Sequence, residues 1–360
     1  MNYLDILILD DDLAMIDLFE TSVETWNADN NENGKHLNVI HAESLLRAHQ
    51  SRFDAAIVDL RLPDKNNKGS SADNGNEFAA SMVNSRGIPV AVVSGHVVEL
   101  SAELEELEHF QKFSKNYGYG PVVDWLSEQW DLMATLRKSR EQIEVASAEV
   151  FSKRLWPQWQ DNPALSGNSP DRQAKIVTRQ FASHISDLLG LDNDQNPDWH
   201  PYENYIVPAL TSERTHTGDL FNLDDEIWIV LSPQCDMANA SVPNVLLAKC
   251  TQGNDQWTTH IDRLKATPEN EKSRKQIKRF VDQDYSKSKH FLPPLPGKDA
   301  PLLVDFSVIQ TIPLTELNEI LDHRLGSVST PFLSNLIQRF GAFVSRTGQP
   351  NIDIVHFFEI

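Results

Sequence analysis

The chain has almost no cysteine: two in 360 residues, Cys235 and Cys250. That excludes a disulfide framework and points to a reducing compartment, the cytoplasm. No apolar run approaches the length of a membrane span, and Asp5 interrupts the opening stretch where a signal peptide would need apolar residues. Positive charge is scarce as well. Against 52 acidic residues stand 32 Lys and Arg, for a formal net charge of −20. An excess of that sign argues against a broad nucleic-acid surface and leaves room only for a local basic site. The densest basic run is EKSRKQIKRF, residues 271–280, which reads first as the solvated face of a helix. There is no internal repeat, no phosphate-cradling glycine loop, no CxxC or HxxxH ligand pair, and no helix-turn-helix with a basic recognition helix. DNA binding is therefore not expected.

What the chain does have begins at ILILDDD, residues 6–12. Four aliphatic residues run into Asp10, Asp11 and Asp12. Carboxylates this close repel one another and resist losing water. A divalent cation with a preference for hard oxygen ligands offsets both costs. Helix capping accounts for one aspartate, not three. The next segments alternate. LDILILD, HLNVIHA, AAIVD, IPVAVVSG and HFQKFSK read as strands; LAMIDLFETSVETW, ESLLRAHQS, GNEFAASMVNSRG and AELEELE read as helices between them. That order predicts a doubly wound α/β domain with a five-stranded parallel sheet, whose ligands bind at the carboxyl ends of the strands. Each polar outlier falls at such an end: Asp10, Asp11, Asp59, Ser94, and Lys112 or Lys115. Together they suit phosphoryl chemistry. The carboxylates hold Mg²⁺, one of them acts as nucleophile, and lysine and serine pair with phosphoryl oxygens.

Residues 3 to about 126 resemble the receiver domain of two-component response regulators. The likeness rests on ILILDDD, IVDLRLPD, NGNEF, VVSGH and a lysine ending the fifth strand. It implies a flavodoxin-like fold and a phosphorelay role, with Asp59 accepting the phosphoryl group from a histidine kinase or phosphotransfer protein. By position, Asp11 would bind Mg²⁺ directly, Asp10 would help through water, and the Arg61 backbone carbonyl would complete the protein ligands. Ser94 takes the switch hydroxyl's place, and Asp12 caps the first helix. Receivers usually follow their lysine with proline; here Asn116 follows Lys115 and Phe113 follows Lys112. Spacing from Ser94 favours Lys115. Phe110 and Phe113 are the candidates for the aromatic switch position. Residues 64–75 lengthen the loop after Asp59 with polar residues and glycine.

The domain plan is a receiver over 1–121, a helical connector over 122–155 and an α+β output domain over 165–360. In the connector, Val122, Leu126, Gln129, Met133, Leu136, Arg140, Ile143, Ser147 and Val150 step by four and three. This is an imperfect heptad seam, suited either to a coiled-coil homodimer through 122–150 or to packing on the protein's own domain. Prolines and a glycine in LWPQWQDNPALSGNSPD are expected to break the helix.

Beyond the connector, DRQAKIVTRQFASHISDLLG, TPENEKSRKQIKRFVDQD and STPFLSNLIQRFGAFVSR read as helices. GDLFNL, EIWIVLSPQCDM, NVLLAKCT, HFLPPLP and LLVDFSVIQTIPL read as strands. A small antiparallel sheet or barrel is expected. The stretch 218–251 is similar to the SH3-like barrel of MazF/PemK-type toxins, but Asp224, Asp225 and Glu226 stand where that family carries arginine-proline. SPQCDM raises a sharper expectation: Cys235 and Asp236, with His216 and Asp219 from THTGD, as a Zn²⁺ or thiolate site. His200 and His260 read as structural. The function expected is a response regulator that switches its output domain through an unidentified protein target. The alternative is a phosphorylation-gated effector enzyme, nuclease or toxin-like, using the Cys235/Asp236 site.

Overall fold

The computed structural model describes residues 2–42, 45–63, 70–107, 110–161, 169–190, 199–209, 213–348 and 350–351. The chain divides into two compact units, residues 1–195 and 196–360.

The first unit alternates strand and helix: β1 (Asn2–Leu9), α1 (Leu13–Asn30), β2 (Lys35–His41), α2 (Leu45–Gln50), β3 (Ala55–Val58), the short pair β4 (Leu62–Pro63) and β5 (Ser70–Ser71), α3 (Ala72–Arg86), β6 (Val90–Ser94), α4 (Ala102–Glu105), β7 (Phe110–Ser114) and α5 (Gly120–Glu128). The sheet runs β2-β1-β3-β6-β7 and every pairing in it is parallel, a flavodoxin-like order. Both faces are covered, so the strands are apolar throughout. Successive side chains still alternate between faces. On β1, Leu4, Ile6 and Ile8 pack with Phe19 of α1 and with Val122 and Leu126 of α5. Leu7 and Leu9 point the other way, toward Ala48 of α2, Phe78 and Met82 of α3, and Leu104 of α4. Phe110 joins the second layer and Phe113 the first, three residues apart and on opposite faces. Most of these side chains are fully buried, each contributing roughly 1.5–3 kcal/mol.

The helix after the sheet is not continuous. It breaks at Gln129, and α6 (Trp130–Val150) follows. Within LWPQWQDNPALSGNSPD the helix continues past Pro157 to Asp161, and residues 162–168 lie outside the described residues. A wide π turn at Phe151–Leu155 leads into α7 (Trp156–Asp161), which contains Pro157. Such a turn tolerates the missing amide hydrogen of proline. Four of the nine seam residues, Val122, Leu126, Met133 and Val150, are buried within the chain, while Ile143 is exposed. α6 packs with α8 (Pro170–Gly190), which belongs with it to the first unit. Polar contacts pin the same helix to the amino edge of the sheet. Arg137 reaches Asp5 at 3.0 Å and Asp54 at 2.8 Å and lies 4.4 Å from the Tyr3 ring centre. Arg140 donates to the carbonyls of Arg86 and Gly87 at 3.1 and 2.9 Å. Leu132, Ile143 and Val145 are the exposed large apolar residues of α6.

The second unit is α+β. Its strands are β8 (Tyr205–Ile206), β9 (Asp219–Leu223), β10 (Glu226–Val230), β11 (Asn244–Gln252), β12 (Lys289–Leu292), β13 (Leu302–Pro313) and β14 (Arg324–Val328). They form an antiparallel seven-stranded sheet, β12-β13-β11-β10-β9-β14-β8, curled into a half-barrel. Asp224 and Asp225 take positive φ, 50° and 63°, and make the tight turn between β9 and β10. The helices are α9 (Gln234–Ala238), α10 (Asp255–Ala266), α11 (Glu271–Val281), α12 (Leu314–Glu319) and α13 (Thr330–Val344). Three of them, α9, α10 and α12, depart from expectation. QCDMA is helical, begun by Pro233, where a strand was expected to continue. α10 was not expected as a helix; Asn254 caps it by accepting from the Trp257 amide at 3.1 Å.

Candidate functional site

Parallel pairing brings the polar residues together. Leu9 pairs with Val58, so Asp10 and Asp59 leave adjacent strands side by side. The Asp59 amide donates to the Leu9 carbonyl at 2.9 Å, extending the ladder by one step. Ser94 ends β6, and Lys115 follows β7 in register with it, since Ser94 pairs with Ser114.

Each of the three opening aspartates has its own surroundings. Asp12 caps α1, accepting from the Ala14 amide at 2.9 Å. Asp10 is buried; it accepts from the Asp12 amide at 3.0 Å and from Lys115 at 2.7 Å. Asp11 is exposed, yet one carboxylate oxygen from each of Asp10, Asp11 and Asp59 fits within 4.8 Å of the others. Burial pushes the Asp10 carboxyl above its usual range, although Lys115 pulls it down.

Lys115 also lies 2.9 Å from Asp59 Oδ2, so one ammonium bridges two buried carboxylates. Burial lowers the lysine's proton affinity, but the two carboxylates outweigh it and its pKa is raised. Lys112 pairs instead with Glu105 at the surface. It is Lys115, the lysine that spacing favours, that lies against the two aspartates. Asn116, in the place usual for proline, has its amide held by Ser114 Oγ at 3.3 Å. The extra N–H has a partner, and the chain still turns there.

Asp59 Oδ1 is buried and has no hydrogen-bond partner among the described residues. An acceptor left so costs about 1–3 kcal/mol. With the carboxylates of Asp10 and Asp11 beside it, a hard cation or a donor would satisfy this oxygen. The donor set is all oxygen, as Mg²⁺ requires. Ser94 is 1% exposed, and its Oγ accepts from the His96 amide at 3.2 Å.

Three contributors to the site were not legible beforehand. Gly75 of α3 packs on the strand end: an added Cβ would strike the backbone oxygens of Asp59 and Leu60. The Arg61 side chain forms a two-pronged pair with Glu99, tying the loop after β3 to the loop after β6. Tyr119 is buried, and its ring centre is 5.3 Å from that of Phe19. Burial first, then the charges of Asp10 and Asp59, push its phenol well above the usual range, so it stays neutral. Gly120-Pro121 marked a helix start there, but nothing in the sequence tied Tyr119 to the carboxylates.

The second expected site does not assemble. Asp219 is fully buried; it pairs with Arg324 at 3.1 Å, accepts from the His216 amide at 2.7 Å and accepts from Ser327. Cys235 is exposed, with its Sγ 3.6 Å from Asp236 Oδ1. Among the described residues, His216, Asp219, Cys235 and Asp236 do not gather three metal donors. Asp219 is thus held by an arginine and a serine, away from any grouping with Cys235 among the described residues.

No protein-family model and no curated protein matches this chain. Similar solved structures include a CheY-like response regulator receiver domain from Methylobacillus flagellatus, 20% identical, covering 35% of this chain and 99% of that one, with a TM-score of 0.27. A second is the phosphorylated cyanobacterial phytochrome response regulator RcpA, 19% identical over 36% of this chain and 94% of that one, with a TM-score of 0.25. A third is the N-terminal domain of a response regulator/sensory box/GGDEF protein from Carboxydothermus hydrogenoformans, 15% identical over 38% and 98%, with a TM-score of 0.22.

Proposed function

We propose that the first unit is a phosphorylation switch of the response-regulator type, with Asp59 as phospho-acceptor and the second unit as its output. One observation carries the reading: a single lysine bridges Asp10 and Asp59 at the carboxyl edge of a parallel sheet, while the second Asp59 oxygen is buried without a partner. The motifs around these residues support it.

In this reading Asp10, Asp11, Asp59 and the Arg61 carbonyl hold Mg²⁺, which when bound neutralises the charge gathered by carboxylates and phosphoryl oxygens. A carboxylate oxygen of Asp59 attacks the phosphorus of a phosphohistidine on a kinase or phosphotransfer protein. The new O–P bond forms as the P–N bond breaks, and the departing imidazole nitrogen takes up a proton. Lys115 is placed to follow the charge from Asp59 onto a phosphoryl oxygen, and the Ser94 hydroxyl to hydrogen-bond another. The Arg61–Glu99 pair ties the loop after Asp59 to the loop after Ser94, and in this reading it is the contact through which a change at either residue would reach the surface of the unit.

Phosphoramidate, a small P–N donor, tests this. The expected product is an alkali-labile, hydroxylamine-labile phosphoryl group on Asp59, formed with Mg²⁺ and not with EDTA. Incorporation that is independent of Mg²⁺, or that maps to another residue, contradicts the reading.

A further inference from the structure

The second unit contains a cavity of about 540 Å³, within the range of small-ligand sites. Its walls are rings: Trp199, Trp257, Phe291 and Phe332, with prolines between them. Trp257 lies 4.8 Å from Phe291, centre to centre, and Trp199 meets Phe332 edge-on at 5.7 Å. The back wall is rigid. Gln283, at a φ of 63°, exchanges two hydrogen bonds of 2.8 Å with the Phe291 backbone. His290 lines the cavity too, 2% exposed, and its Nδ1 has no partner among the described residues. Burial and the Arg339 charge push this imidazole down to about 3, so it is neutral at physiological pH. A neutral ring nitrogen among aromatic faces is a hydrogen-bonding group for a planar, polar ligand.

A second observation gives the charge of that ligand. The basic run of the sequence is helix α11, and Val281, Asp282 and Gln283, which line the cavity, follow it directly. Lys272, Arg274, Lys275, Lys278 and Arg279 are all exposed, while Ser273 and Phe280 face the core. None of the five basic residues forms an ion pair among the described residues. Lys278 and Arg279 sit within about one helical turn, ~5 Å, of the cavity-lining residues. In a chain of net charge −20, an unpaired basic face beside an aromatic cavity fits a planar base bearing phosphate.

We propose that this cavity binds a nucleobase, with its phosphate directed to Lys278 and Arg279. The ligand is a free nucleotide or one residue of a single strand. The inference stands apart from the phosphorylation reading and does not depend on it.

The test is tryptophan fluorescence of the full chain titrated with AMP, GMP, CMP and UMP, with adenosine, with inorganic phosphate and with ten-residue oligoadenylate RNA. At least one nucleotide is expected to quench emission saturably, more tightly than its nucleoside, while phosphate alone does not. Trp199, 43% exposed, can be removed without opening the core. Trp199→Ala is expected to weaken binding by roughly 5- to 100-fold and Trp199→Phe to retain most of it. The double variant Lys278→Gln/Arg279→Gln is expected to bring nucleotide affinity down to that of the nucleoside and to flatten its salt dependence. Oligoadenylate binding far more tightly than AMP identifies a strand as the source; equal affinity identifies a free nucleotide. The proposal is overturned if neither mononucleotides nor oligoadenylate bind saturably, if folded Trp199→Ala binds unchanged, or if a proline-rich peptide occupies the cavity and nucleotides do not.

Discussion

Replacing Lys115 with methionine removes the one cation that bridges Asp10 and Asp59 and keeps most of its apolar stem. At 2.7 and 2.9 Å, each contact is worth about 6 kcal/mol of Coulomb attraction at an effective dielectric of about 20. Much of that is cancelled by desolvation, because both carboxylates are buried and the ammonium nearly so. Breaking such a pair from one side costs about 3–5 kcal/mol, the penalty of uncompensated buried charge. Lys115→Met is therefore expected to destabilise the first unit by that amount in EDTA at neutral pH, read as a lowered urea midpoint. The carboxylates then have a stronger claim on any other cation. Mg²⁺ at 100 times its dissociation constant restores about 2.7 kcal/mol, and its stabilising effect should exceed that on wild type. A variant within about 0.5 kcal/mol of wild type in EDTA, or one that Mg²⁺ leaves unmoved, refutes the reasoning.

Three other outcomes are expected. Arg137→Ala strands Asp54, whose carboxyl burial already raises, and should cost about 3 kcal/mol; Arg137→Lys should recover part of it, and limited proteolysis should then cut α6 first. Gly75→Ala forces the backbone at Asp59 and Leu60 to move, so it should both lower the unfolding midpoint and slow any phosphorylation of Asp59. His290 is held near 3 in the folded chain against about 6.5 unfolded, so the unfolded state takes up the extra proton as pH falls between those values. Stability of the second unit should drop by about 2 kcal/mol from this group between pH 7 and pH 5, and His290→Gln should remove that part of the slope when midpoints are compared.

The parallel sheet was legible because its strands are buried on both faces and end abruptly in charge. Asp10, Asp59 and Ser94 could be placed from those ends, since parallel register puts successive strand ends together, while the lysine was narrowed only to Lys112 or Lys115. The covering of α6 was not legible. A seam such as Val122, Leu126, Met133 and Val150 announces that something packs on it, and the same spacing serves a second chain or the protein's own sheet and α8. The proposed zinc site failed for a related reason. Neighbours in sequence suggested His216, Asp219 and Cys235, while Asp219 was already claimed by Arg324, 105 residues away. Short helices such as Gln234–Ala238 give too few turns for a period to show, and the segment through Met237 reads as part of a strand. Gly75 could be quoted as part of a motif, but its reason, the closeness of two carbonyls, exists only in three dimensions.

The central claim is that Asp59 accepts a phosphoryl group. Intact mass after incubation with Mg²⁺ and acetyl phosphate, on wild type and on Asp59→Asn, tests it most directly. The account predicts one added phosphoryl group on wild type, none on the variant and none on either protein in EDTA. Equal gain by Asp59→Asn, or no gain by wild type with both acetyl phosphate and phosphoramidate, contradicts it.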